Sequence, residues 1–323
     1  RGSANIVRVM DCVISNNISK SNGGGAFCEY SSLRLSDCDI VGNSVTNANG
    51  GGLYACVATD CRIVGNVAQS TGNTYTFGGG ACYSTLTNCV VSFNTNDCAV
   101  AGKMYSCGGG AYGGTAVDCL FEGNYANFRG GGLYTGTSKN CRFIGNHALS
   151  GGAGTYAGFH YNGLYKGNFG GNCAGAMDYY STKPATDSSH VINCTFVGNQ
   201  SGKGHGFFDM CVAVNCVSWG NTSPSHPYDS AVLAASNCCS EAISAPDAYG
   251  CITEDPQFRL VDGHDYHVRN AKCRNALAQG CAGGAWRSGR QLQAGASRCT
   301  RPVPVYPGLK ALAGFRLRPA GYG

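Results

Sequence analysis

The chain has 323 residues, among them 50 glycines and 21 cysteines, and only 13% are charged. Glycine at this level without a G-X-Y period excludes collagen, the 43% hydrophobic content excludes a disordered tail, and no apolar run reaches the length of a membrane-spanning helix. The net charge of +5 divides unevenly: 13 basic and all 18 acidic residues lie at or before Asp265 and ten basic residues beyond it, so a body of −5 carries a tail of +10.

Such a body lacks the basic surface that phosphate backbones require, so no nucleic-acid partner is expected. With no methionine and no signal-like segment at Arg1, the chain reads as processed or as a piece of something larger.

From the N-terminus onward one motif recurs: Asp or Asn, Cys, any residue, an apolar residue, any residue, Gly, Asn. It reads DCVISNN at 11–17, DCDIVGN at 37–43, DCRIVGN at 60–66, NCVVSFN at 88–94 and DCLFEGN at 118–124. It continues as NCRFIGN at 140–146, NGLYKGN at 162–168, NCTFVGN at 193–199 and NCVSWGN at 215–221, with a last copy opening at Asn237. Successive copies are 22 to 31 residues apart, and Gly-Gly-Gly elements fall between them at Gly23, Gly50, Gly78, Gly108 and Gly130.

The blocks are short, β-branched and punctuated by glycine, which favours strands over helices. Within each motif, alternation puts the Cys and the apolar residue two places on together on one face. The Gly-Asn pair supplies a turn that tolerates left-handed backbone. A repeat of this size predicts an all-β chain, a single-stranded parallel β-helix (β-solenoid) of about ten coils with a C-terminal cap and tail. At ~4.8 Å per coil the rod would be roughly 45 to 50 Å long. The expected divisions are repeats over 1–240, a closing segment over 241–284 and a basic tail over 285–323.

The alternation of Gly-Gly-Ala/Leu-aromatic with Phe-x-Gly-Asn elements over residues 1–240 resembles the repeats of polymorphic outer-membrane proteins and related bacterial surface β-helices. Residues 255–280, DPQFRLVDGHDYHVRNAKCRNALAQG, look like the closing segment of many bacterial β-helix proteins. The turn expected there reads Lys272-Cys273-Arg274-Asn275-Ala276, a departure, and no membrane-barrel domain follows. The resemblance implies a right-handed coil, as does the preference of parallel crossovers. It also implies secretion or display at the cell surface, commonly as an adhesin.

Stacking in register turns each repeat position into a column. The asparagines Asn43, Asn66, Asn94, Asn124, Asn146, Asn168, Asn199 and Asn221 are expected to hydrogen-bond from rung to rung as scaffold. Cys12, Cys38, Cys61, Cys89, Cys119, Cys141, Cys194, Cys216 and Cys238 form a second column with Gly163 in one slot, and are expected as mostly free, buried thiols. Cys28, Cys56 and Cys82 near the glycine elements, with Cys239, Cys251, Cys273, Cys281 and Cys299, are expected to staple loops and the end cap in an oxidising compartment. Phe27, Tyr54, Tyr112 and Tyr134, with Cys82 in the equivalent slot, form an outward aromatic strip suited to sugar rings or to another chain.

No motif requires a cofactor. Zinc is disfavoured because no CxxC pair occurs, while a structural calcium ion between Asp37 and Asp60, in the column Asp11, Asp37, Asp60, Asn88, Asp118, stays open beside plain turn bonding. Gly204-His205-Gly206 resembles one short element of polygalacturonases, but neither an Asn-Thr-Asp element nor an Asp-Asp pair accompanies it. Asp178, Asp187 and Asp209 are too dispersed to assign, and His264 and His267 fit the closing turn.

The expected function is therefore a non-catalytic, secreted or cell-surface structural or adhesive β-helix. It would pair with itself, through end-stacking and the tail arginines Arg287, Arg290, Arg298, Arg301, Arg316 and Arg318, or with a surface receptor or glycan. The alternative is a polysaccharide-binding or pectate-lyase-like carbohydrate-active enzyme.

Overall fold

The computed structural model describes residues 6–28, 33–100, 105–172, 174–178, 189–203, 208–224, 230–241, 250–261 and 265–282. Its organising elements are the three-residue segments that follow each Cys. Asp39–Val41, Arg62–Val64, Val90–Ser92, Leu120–Glu122 and Arg142–Ile144 pair in parallel and in register. They belong to a ten-stranded sheet, here sheet B, that runs from Val13–Ser15 to Cys239–Ser240. The residues after Gly-Asn build an eight-stranded sheet C, and the segments around the glycine triplets build a 17-stranded sheet A. The chain thus winds through A, B and C in turn as a right-handed parallel β-helix.

Among the described residues eight coils carry strands of all three sheets and two more carry strands of A and B, the ninth keeping one sheet C bridge from Gln200 to Thr222, against about ten coils expected. Pro224 follows that bridge, and proline cannot donate to a strand ladder.

The first motif position is fixed by backbone geometry. Asp11, Asp37, Asp60, Asn88, Asp118, Asn140, Asn162, Asn193, Asn215 and Asn237 all have φ between 50° and 57°, a left-handed corner that Asp and Asn tolerate best among residues bearing a side chain. The Cys after it turns inward. From Cys38 to Cys238 the column thiols are buried, and each donates to the carbonyl two residues earlier, as Cys61 does to Thr59 at 3.1 Å. Cys12, on the first coil, is exposed. The 18 cysteines whose side chains are described are free thiols.

Two departures from the expected column have local causes. Cys251 belongs to it, because Cys239 bridges Ile252 and the Ile252 N–H donates to Cys238. Gly163 stands where the others have Cys because the Tyr165 ring fills the slot: a Cβ on Gly163 would lie 2.9 Å from that ring.

Beside the thiols, sheet B points Ile40, Ile63, Val91, Phe121, Phe143, Tyr165 and Phe196 into one continuous core. The last four rings stack at 4.6 to 5.0 Å between centroids.

The asparagine column runs from Asn17 to Asn221. From Asn43 onward each side-chain oxygen accepts from the amide and the backbone N–H of the preceding rung, and each side-chain amide also donates to a sheet B carbonyl one rung back. Asn94, for example, accepts from Asn66 N–H at 2.9 Å and Asn66 Nδ2 at 3.0 Å, and donates to Ile63 O at 2.8 Å and Asn124 Oδ1 at 3.0 Å. The glycine triplets pack on this ladder. At Gly78-Gly79-Gly80 the first residue is left-handed (φ 69°), the second leaves 2.4 Å between a would-be Cβ and the Thr95 carbonyl, and the third leaves 2.9 Å to the Asn94 amide.

After the last coil, Phe258–Val261 and Asp265–Val268 form an antiparallel hairpin, followed by a helix, α1 (Ala271–Ala282). The segment 272–276, expected as a turn, is helical. Asn270 caps it by accepting from Lys272 N–H at 2.9 Å, and Ala, Lys, Arg, Leu and Gln are good helix formers.

Asn94→Leu would leave both Asn66 donors without an acceptor in the core and take one bond each from the Ile63 carbonyl and the Asn124 side-chain oxygen. At about 1–3 kcal/mol for each orphaned group, the loss should exceed about 3 kcal/mol by urea unfolding, and an unchanged midpoint would refute the ladder's role.

His160 gives a second prediction. It is fully buried in sheet A between Ser138 Oγ (2.8 Å) and the Ala157 carbonyl (3.1 Å), and burial lowers its pKa to about 4. The unfolded chain takes up this proton from about pH 6.5 downward and the folded chain only near 4. Stability should therefore fall by up to about 3 kcal/mol between those values. Half-buried His147 shifts the same way. The double variant Ser138→Ala, His160→Leu should flatten most of this dependence in unfolding curves measured across that window.

Candidate binding face on sheet A

After each glycine triplet sheet A has a two-residue strand whose first residue points inward, as Leu53, Ala81, Ala111 and Leu133 do. Its second residue points out. Phe27, Tyr54, Cys82, Tyr112, Tyr134 and Tyr156 pair in register as one outward column. Tyr156 escapes a search for glycine triplets because the element before it reads Gly152-Ala153-Gly154-Thr155.

The rings stack along the rod axis. Centroids lie 5.4 Å apart for Phe27–Tyr54, 5.2 Å for Tyr112–Tyr134 and 4.9 Å for Tyr134–Tyr156, with planes within 17° of parallel. At Cys82, where the column lacks a ring, Tyr83 supplies one. It sits edge-on to Tyr54 (6.0 Å) and Tyr112 (5.3 Å). The corner it occupies is left-handed (φ 50°), the place of Ala55, Thr135 and Ala157 on other rungs, a conformation that costs any residue with a Cβ about 1–2 kcal/mol. The short strand Thr76–Phe77 adds Phe77, 4.3 Å from Tyr112, and the residue before it, Tyr75, stacks beside Phe77.

This arrangement divides the expected binding residues. Tyr54, Tyr112 and Tyr134 are half-buried and stack on neighbouring rings, Tyr54 on Phe27 and Tyr112 on Tyr134, and burial raises all three hydroxyl pKa values. They stiffen the face. Phe27, at the end of the column, is 51% exposed, as is Tyr83, and Tyr75 is 52% exposed. Tyr75 and Tyr83 were not legible in the repeat, one lying in a variable loop and the other at a corner. Arg129 ends the patch, its guanidinium 4.5 Å from the Phe128 ring and 4.7 Å from the Tyr156 ring, donating to Tyr156 Oη at 2.8 Å. On sheet C a shorter column, Tyr125, His147 and Phe169, packs edge to face.

The other candidate chemistry falls into structural positions. The column of Asp and Asn corners is a second, outer ladder: Asn88 donates to Asp60, Asn140 to Asp118 at 2.8 Å, Asn162 to Asn140 at 2.9 Å, and Asn193 and Asn215 continue it. The Asp60 carboxylate considered for calcium is thus engaged by an amide. Among the described residues, no group of three His, Cys, Asp or Glu side chains is placed to hold a metal.

Cys28 and Cys56 lie in the core rather than in loop staples, and Cys82 is buried under the aromatic face. Burial pushes the Cys56 and Cys107 thiols up to about 12, which keeps them protonated and poorly nucleophilic at neutral pH. Asp178 and Asp209 lie on sheet A strands. Asp187, Gly204-His205-Gly206, His264, Cys299 and the tail with Arg287, Arg290, Arg298, Arg301, Arg316 and Arg318 lie outside the described residues.

Among the described residues no helix is long and apolar enough to cross a membrane. Comparison with models of known protein families gives no match. Comparison with curated proteins gives none either.

The stacking predicts unequal costs along the column. Tyr134→Ala removes two stacked partners and should cost about 2–3 kcal/mol, whereas Phe27→Ala, at the exposed end with one partner, should cost about 1 kcal/mol. Equal shifts in thermal unfolding of the two variants would show that the column does not act as a stack.

Proposed function

We propose that this chain is a non-catalytic structural and adhesive rod, secreted or displayed at the cell surface, that docks on a glycan-bearing surface through the aromatic face of sheet A. The observation that carries this reading is the row of outward rings from Phe27 to Tyr156 with Phe27, Tyr75 and Tyr83 about half exposed. Rings fixed on a rigid sheet offer apolar area at little cost in lost motion on binding, which suits recognition of sugar rings. Tyr83 supports the same reading, because its ring stands on the regular face beside Tyr54 and Tyr112 with about half of its surface uncovered.

The family resemblance adds support. The Gly-Gly-Ala/Leu-aromatic and Phe-x-Gly-Asn elements are similar to repeats of polymorphic outer-membrane proteins, which implies bacterial surface display. The acidic body and basic tail favour copies of the chain as further partners, assembling end to end into extracellular filaments.

The test is glycan-array binding by the purified chain, followed by titration of the best ligand with the Tyr75→Ala and Tyr83→Gly variants. Affinity should fall at least about tenfold in the double variant while its thermal midpoint stays within a few degrees of the parent. Binding that is absent, or indifferent to both substitutions, overturns the docking face. Release of shortened saccharides would replace adhesion with catalysis. Negative-stain imaging at low and high salt tests assembly separately: filaments that disperse in salt support the tail-to-body contact, and single rods at both salts reject it.

A further inference from the structure

The last coil and the terminal helix meet at two thiols. Cys239, on the final sheet B strand, and Cys273, in the first turn of α1, are both fully buried, and their sulfurs lie 2.9 Å apart. They differ from the ladder thiols, whose main partners are backbone carbonyls of the coil. Both also donate to one carbonyl, that of Glu254, at 3.1 and 3.3 Å, which fixes their side chains toward each other. Around them Val217, Ile252, Phe258, Val268 and Leu277 form a small core separate from that of the rod.

Besides this contact, α1 is tied down by its Asn270 cap, whose amide donates to Asp255 O at 2.8 Å, and by the exposed Lys272–Glu254 pair at 2.7 Å. An exposed ion pair holds little. The helix closes the end of the rod chiefly through Cys273 and Leu277.

We propose that Cys239 and Cys273 are a redox site that becomes a disulfide and locks α1 over the end of the β-helix. The co-reactant is a low-molecular-weight disulfide such as oxidised glutathione. One thiolate attacks a glutathione sulfur, breaking that S–S bond and releasing one glutathione thiolate. The second thiolate then attacks the mixed disulfide, forming the Sγ–Sγ bond and releasing the second glutathione. The two cysteine protons leave to solvent, and the two electrons end on the two glutathione thiols. Because both sulfurs are buried, the exchange proceeds while α1 is open, during folding or a transient release of the cap. The bond closes a loop across the 34 positions between the two cysteines, restricting the open state of the cap. This inference is independent of the docking face.

The experiment uses the full chain equilibrated with oxidised and reduced glutathione, or with excess reductant, then alkylated with iodoacetamide and digested with pepsin in acid without reduction. Mass spectrometry of the oxidised sample should find one linked peptide pair holding Cys239 and Cys273, two hydrogens lighter than its parts, with the ladder cysteines alkylated only after denaturation. The reduced sample should carry alkyl groups at both positions once denatured, and limited proteolysis should then cut near α1 about tenfold faster. Cys273→Ser should remove the linked pair and show fast cleavage in either buffer. Alkylation of both cysteines in the oxidised sample, or a link from Cys239 to Cys238, Cys251 or Cys281, overturns the proposal, and neither readout requires the variant to fold.

Discussion

A buried side-chain amide is tolerable only if all of its hydrogen-bonding groups are met, and the asparagine ladder meets that demand by using the strand spacing of the coil itself. Neighbouring parallel strands lie about 4.8 Å apart, which lets one amide donate to the oxygen of the next without distortion. Asn66, Asn94, Asn124, Asn146, Asn168 and Asn199 each accept two bonds and donate two. Every rung thereby fixes the register of the next, and a rung out of step would strand the polar groups of two neighbours. The glycine triplets follow from the same constraint. Their third residue lies so close to the ladder that a Cβ at Gly52, Gly80 or Gly110 would stand 2.9 to 3.1 Å from the asparagine amide, and 2.5 to 2.6 Å from the next rung's glycine carbonyl.

The parts of the molecule that repeat were legible in the sequence because register turns repetition into contact. The Cys, Asn and apolar columns could be written down from the spacing of seven-residue motifs. What escaped was set by backbone angle or by a single neighbour rather than by periodicity. Cys251 keeps its place in the thiol column although its surroundings, Gly-Cys-Ile-Thr, have lost the Gly-Asn signature. Asn17 opens the ladder from a degenerate copy in which Asn16 takes the glycine's left-handed place. Tyr83 became part of the aromatic face by standing at a corner, where alternation gives no guide to direction. The helix α1 was hidden by its position, since a family-like closing segment suggested a turn where capping and composition produce a helix.

Inside the coil, two polar substitutions are each answered by a neighbour. Ser138 and His160 occupy adjacent rungs of the inward sheet A column that elsewhere holds Leu35, Ala58, Leu86, Ala116 and Val191, and they bond to each other. Tyr165 replaces the phenylalanine of the neighbouring rungs and finds Thr155 Oγ1 at 3.3 Å, while its bulk is met by the missing side chain of Gly163. Each exception comes as a compensated pair, which is how an interior packed to crystal-like density accepts change.

The exterior obeys a looser rule, and that difference is where function enters. An outward column needs no satisfied partner to fold, so an aromatic repeated there must be kept either for stacking or for contact with something else. For Tyr54, Tyr112 and Tyr134 stacking accounts for the residue, since their ring faces meet across rungs. Tyr83 is a different case. Alanine or threonine holds the same left-handed corner on other rungs, and a tyrosine there fills the gap above Cys82, packs against Gly113 and keeps only half of its surface covered. A simpler repair of the column would have been an aromatic at position 82, in line with its neighbours. Placing the ring at 83 instead turns it edge-on to the stack and leaves it projecting from an otherwise regular face. The half of that ring left uncovered is the surface that the proposed docking face would offer to a partner.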